Sequence, residues 1–82
     1  MDFERFKKEM QLAEHMAKMD SERENYWRGY QRGLRRAYHG GKFGTLEEHN
    51  KFIDAVHSLD ESRRETGKGY ADALQDWGKN EK

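Results

Sequence analysis

The sequence predicts an all-α fold: a small bundle of three to four amphipathic helices with a 40-residue internal repeat. Three observations predict it. The chain has no proline, the residue that most disrupts helix interiors. Its apolar residues recur at steps of three and four, which gathers them on one helical face. No stretch shows the strict apolar–polar alternation of a half-buried strand.

The first helix is expected over 2–19. Phe3, Phe6, Met10, Ala13 and Ala17 share one face, and Leu12, Met16 and Met19 widen it. Ser21 followed by Glu24 has capping-box spacing and opens a second helix over 22–39. Gly40-Gly41 supplies the glycine expected just past its C-terminus. Thr45 with Glu48 repeats the box and starts a third helix over 46–57, with Leu46, Phe52, Ile53 and Val56 as buried candidates. Ser58 with Glu61 gives the same spacing again, for a fourth helix over 59–77. Gly67 and Gly69 fall inside that helix at about 1 kcal/mol each relative to alanine, so a break near Thr66 to Gly69 is the alternative.

One domain spanning 1–82 is all that 82 residues allow. Only 33% of the chain is hydrophobic and 39% is charged. Disorder also requires high net charge and few aromatics. Here 16 basic residues balance 16 acidic ones and 12% of the chain is aromatic. The expected core therefore leans on aromatic residues, Met and Ala. Without cysteine there is no disulfide framework, thiolate zinc site or cysteine nucleophile. No apolar run reaches the roughly 18 residues needed to span a bilayer. The charged start, Met1-Asp2-Phe3-Glu4-Arg5-Phe6-Lys7-Lys8, does not fit a signal peptide. A cytoplasmic location is expected.

Sliding the chain by 40 residues matches Asp20 with Asp60, Arg23 with Arg63, Gly29 with Gly69, Tyr30 with Tyr70 and Leu34 with Leu74. The shared pattern places small residues four apart, Gly29/Gly33 and Gly69/Ala73. By analogy with membrane helices, such a patch lets another backbone approach closely. Duplication of a hairpin and convergent packing both explain it, and both make Tyr30, Leu34, Tyr70 and Leu74 core candidates.

The second helix separates its chemistry by face. Tyr26, Trp27, Tyr30, Gly33, Leu34, Ala37 and Tyr38 fall on one side, and Arg28, Arg32, Arg35, Arg36 and His39 on the other. Residues 26–44 contain five Lys or Arg and no acid, whereas 45–62 contain five acids and one Lys. The candidate partner-binding set is Arg28, Arg32, Arg35, Arg36, His39 and Lys42. A guanidinium offers fixed paired donors to phosphate or carboxylate, so protein and nucleic-acid partners both fit. The competing reading is a solvated or internally paired face. Asp72 and Asp76 stand at the repeat positions of Arg32 and Arg36 and would complement them.

Other chemistry is thin. Asp54 and His57 share one helical turn with Asp60 and Glu61 nearby, but a metal site needs three or four converging ligands. Gly40-Gly41-Lys42-Phe43-Gly44-Thr45 lacks the spacing and preceding strand of a phosphate-binding loop, and reads as a cap and turn with Phe43 tucked inward. No Ser–His–acid spacing suggests nucleophilic catalysis. No cofactor, metal or catalytic residue is expected. The Met-containing strip of the first helix is expected to close the core, with a homodimer contact or a foreign partner as its other uses. The sequence thus points to a non-enzymatic helical interaction module. By size and fold it is analogous to small bacterial or phage accessory proteins, an inhibitor or adaptor of a larger protein or complex. The alternative is a small DNA- or RNA-binding module using the same arginines.

Overall fold

Asp2 starts the first helix by accepting the Arg5 amide on its carboxylate, one of the orphan donors every helix start leaves open. In the computed structural model, which describes residues 2–40 and 43–78, α1 covers Phe3–Met19. A single 3₁₀ turn, Ser21–Arg23, leads into α2, Glu24–His39. Gly40 closes α2 at φ +67°, a left-handed conformation suited to glycine. Helix α3 is Leu46–Ala55 and α4 is Glu61–Trp77. The protein is an all-α bundle.

Two helix starts differ from the capping-box reading. Ser21 begins the 3₁₀ turn, and Arg23 sits at the head of α2 with no side-chain cap. At α4 the cap is Asp60, which accepts from the Ser62 amide, while Ser58 accepts from the Asp60 amide one step upstream. A carboxylate at the cap position is as good an acceptor as a hydroxyl, and Asp60 is nearer the first helical turn. Thr45 does cap α3, accepting from the Glu48 amide at 3.1 Å. Helix α4 runs unbroken through Gly67 and Gly69.

Neighbouring contacts give each helix its direction. Phe6 stacks on Tyr38 and Glu14 pairs with Arg28, so α1 and α2 are antiparallel. His49 meets Tyr70 and Phe52 lies against Gly67, so α3 and α4 are antiparallel as well. Between the two hairpins, α2 and α4 run side by side in the same direction: Arg23 reaches Glu65, Gly33 touches Tyr70 and Ala73, and Tyr30 reaches Trp77.

The α2–α4 contact is close enough to exclude side chains. A Cβ on Gly29 would overlap the Thr66 carbonyl oxygen, and one on Gly69 would overlap that of Tyr26. One on Gly33 would lie 2.5 Å from the Tyr70 carbonyl oxygen. Packing alone therefore accounts for the small residues matched by the 40-residue shift, and a duplicated hairpin is not required to explain them. It also explains why Gly67 and Gly69 sit mid-helix: the propensity cost is offset by close approach to α3 and α2.

The core is correspondingly slight. Ala13, Ala17, Leu34, Ala37, Tyr70 and Ala73 are buried, and among the described residues Leu34 alone of the large side chains is fully enclosed. Phe6, Met10, Trp27, Tyr30 and Trp77 pack around it half-buried. Five residues expected to be buried are exposed. Phe3, Leu12 and Met19 on α1 are 52–71% exposed, and Leu46 on α3 is 67% exposed. Helix α1 packs along its Ala13/Ala17 stripe, which turns Leu12 and Met19 outward. Leu46 opens α3 before that helix meets α4. Ile53 is also exposed, because α3 presents Phe52 rather than Ile53 to Tyr70.

Candidate interaction surface

The solvent face of α2 is built by exclusion. Gly29, Gly33, Leu34 and Ala37 turn inward, so Arg28, Arg35 and His39 on the opposite side face outward, while Gln31 reaches across to Met10 and Glu14 of α1. Arg32 and Arg36 fall at the edge nearest α3.

The chain itself engages three of the four arginines. Arg28 forms an ion pair with Glu14 of α1, lies 3.5 Å from Glu24, and donates to Gln31 at 3.1 Å. Its hydrogen bond holds the Glu14 carboxyl below the usual carboxylate range, and the same bond raises the Arg28 pKa. Arg32 donates to Glu48 at 2.7 Å and lies over the Phe43 and Phe52 rings. Arg36 is half-buried and donates to the Phe43 and Thr45 carbonyls, tying the start of α3 to the end of α2. Arg35 is exposed and has no hydrogen-bond or ion-pair partner among the described residues. His39 is exposed and touches the Phe6, Tyr38 and Phe43 rings. Phe43 is half-buried in that ring cluster. Lys42 lies outside the described residues.

Asp72 and Asp76 do not complement Arg32 and Arg36. They accept from the hydroxyls of Tyr26 at 2.7 Å and Tyr30 at 2.9 Å, because the Gly-mediated contact swings the tyrosines of α2 over α4. Trp77 donates its indole N–H to Tyr30 at 3.1 Å. Burial, then the bond to Asp72, raises the Tyr26 pKa, and burial pushes Tyr30 up to about 12. Trp27 keeps its indole N–H inside the fold without an acceptor among the described residues.

Elsewhere, α3 and α4 border an open groove of about 1010 Å³ in which Arg32, Lys51 and Arg63 alternate with Glu47, Glu48 and Asp54. Among the described residues no three His, Asp or Glu side chains converge as a metal site would require. Asp54 and His57 are both exposed.

One exposed cation of α1, Lys7, relates to α2 only through the register between the helices. Glu14 meets Arg28; one heptad back on α1 and one forward on α2, Lys7 takes the place of Glu14 and Arg35 that of Arg28. A heptad step returns to within about 20° of the same helical face. No family model, curated protein or solved structure matches the chain, and among the described residues no helix is long and apolar enough to cross a membrane.

Proposed function

We propose that this chain is a non-enzymatic protein-interaction module that docks on a larger protein or complex through the solvent face of α2. The observation that carries the reading is the commitment of Arg28, Arg32 and Arg36 to Glu14, Glu48 and two backbone carbonyls. Nucleic-acid backbones are bound by uncommitted cations whose phosphate contacts release counterions. Arg28 and Arg32, already neutralised by carboxylates, and Arg36, tied down by carbonyls, offer little of that. What they do offer is a fixed mosaic of donors and acceptors, which suits a protein surface of interspersed charge. Within this reading Arg35 and His39 make the outward contacts, while Arg28, Arg32 and Arg36 hold α1, α2 and α3 in place.

The test uses wild-type chain and an Arg35→Glu variant as baits in a native lysate. Electrophoretic shift of duplex DNA and of RNA at two salt concentrations runs alongside. A protein retained by wild type and lost from the variant supports the reading. A salt-sensitive shift of either nucleic acid, with no retained protein, overturns it in favour of the nucleic-acid module.

A further inference from the structure

We infer that the end of the α1–α2 hairpin is a docking site for an acidic peptide segment of a partner protein, one carrying a carboxylate beside an apolar or aromatic side chain. The inference rests on the protein-interaction reading above and names what that surface recognises.

Its first support is the cation pair. Lys7 and Arg35 are both exposed, and one heptad beyond the Glu14–Arg28 pair they stand at the corresponding positions of α1 and α2. Where the earlier step holds opposite charges, this one holds two cations. Neither cation has an ion-pair partner among the described residues. A carboxylate docked here is attracted by both charges and gains a charge-assisted bond to a guanidinium fork.

The second support is the ring cluster at the same end. Phe6 stacks on Tyr38 with centroids 4.4 Å apart, His39 sits edge-on to both, and Phe43 lies 6.0 Å from His39. Phe3 joins Tyr38 at 6.3 Å yet stays 56% exposed. Rigid aromatics beside arginine are the side chains that most often anchor protein interfaces. Together they present an apolar platform bordered by two uncompensated cations.

The occupant is short. Glu4 is exposed one turn before Lys7, and Glu14 lies two turns beyond it. A continuous polyphosphate strand would have to pass both carboxylates, whereas a peptide with one or two acids flanking an apolar side chain does not.

A displayed library of randomised dodecapeptides tests this, with the wild-type chain as bait and a folded Lys7→Glu/Arg35→Glu variant as counter-bait. Circular dichroism confirms that the variant is folded. The expected result is enrichment of peptides with Asp or Glu next to Phe, Tyr, Trp or Leu, and at least about tenfold weaker binding to the charge-reversed variant. Phe3→Ser should weaken the same peptides without affecting the fold. Enriched peptides lacking acids, or bound equally by the variant, overturn the inference while leaving protein interaction through α2 standing. No enrichment, together with a shift of single-stranded oligonucleotide, overturns both.

Discussion

Gly69 of α4 rests directly on the Tyr26 carbonyl of α2, with no room between them for a methyl group. Gly29 makes the reciprocal contact with the Thr66 carbonyl. The obstacle is backbone in both cases, so no rotamer change relieves it. The α2–α4 spacing, and with it the position of every side chain on the outer face of α2, depends on these two residues.

Gly69→Ala should therefore destabilise the protein strongly although alanine is the better helix former. Overpacking costs about 1–3 kcal/mol where side chains yield, and here the helices themselves must part. That outweighs the gain of about 1 kcal/mol in helix propensity. Gly78→Ala is the control. Gly78 has φ −64° and its nearest neighbour, the Leu74 Cδ2, lies 4.0 Å from the added carbon, so alanine should be neutral or stabilising by up to about 1 kcal/mol. Thermal melts of both variants decide the point. Equal melting temperatures would mean that the helices are not in backbone contact.

The tyrosines predict a loss of stability in alkali. Burial raises the pKa of Tyr26, Tyr30 and Tyr70 above the ordinary value of 10.0, Tyr30 to about 12. The folded state thus holds these protons more tightly than the unfolded chain does. The resulting stabilisation is complete below pH 10 and is lost as pH rises through the folded values. The melting temperature should fall between pH 10 and 12, in step with a late rise in tyrosinate absorbance. Tyr30→Phe should flatten part of that fall. It should also cost about 1 kcal/mol at neutral pH, since Trp77 loses its acceptor. A melting temperature constant across the window would exclude the assignment.

Capping separates Thr45 from Ser21. Thr45→Ala should cost about 1 kcal/mol, because its hydroxyl accepts the Glu48 amide. Ser21→Ala should stay within about 0.5 kcal/mol, because no side-chain cap forms at that end of α2. Chemical denaturation at neutral pH measures both. Similar losses would show that Ser21 caps α2 in solution.

These contrasts mark how far the sequence could be read. The helices and the small-residue patch were legible because periodicity and local spacing encode them. Ser58 misled because a hydroxyl three residues before a Glu signals a cap only if no neighbour competes, and Asp60 competes; Ser21 misled because a 3₁₀ turn stands between it and α2. The fates of Leu12, Leu46 and Ile53 were hidden since a wheel shows an apolar stripe without showing how much of it a partner helix covers. The arginine face was visible as a charge pattern. Its division into structural Arg28, Arg32 and Arg36 and outward Arg35 depends on Glu14, Glu48 and the Phe43 and Thr45 carbonyls, none of which lies on α2.

That division carries the last prediction. Arg32 bridges α2 to Glu48 of α3 and covers two phenyl rings, whereas Arg35 has no hydrogen-bond or ion-pair partner among the described residues. The Arg32–Glu48 pair is more than a third exposed on both sides, so the ion pair contributes only about 0.2–1 kcal/mol. The ring contacts add roughly 0.5–1 kcal/mol. Arg32→Ala should cost about 1–2 kcal/mol, a fall in melting temperature of about 5–10 °C for a chain this size. Arg35→Ala should change stability by less than about 0.5 kcal/mol while weakening partner binding. High salt should shrink the Arg32 penalty only in part, because screening reaches the exposed ion pair but not the packing on Phe43 and Phe52. Melts of the two variants at low and high salt provide the measurement. An Arg35→Ala loss equal to that of Arg32→Ala would place Arg35 in the fold rather than on the proposed docking surface.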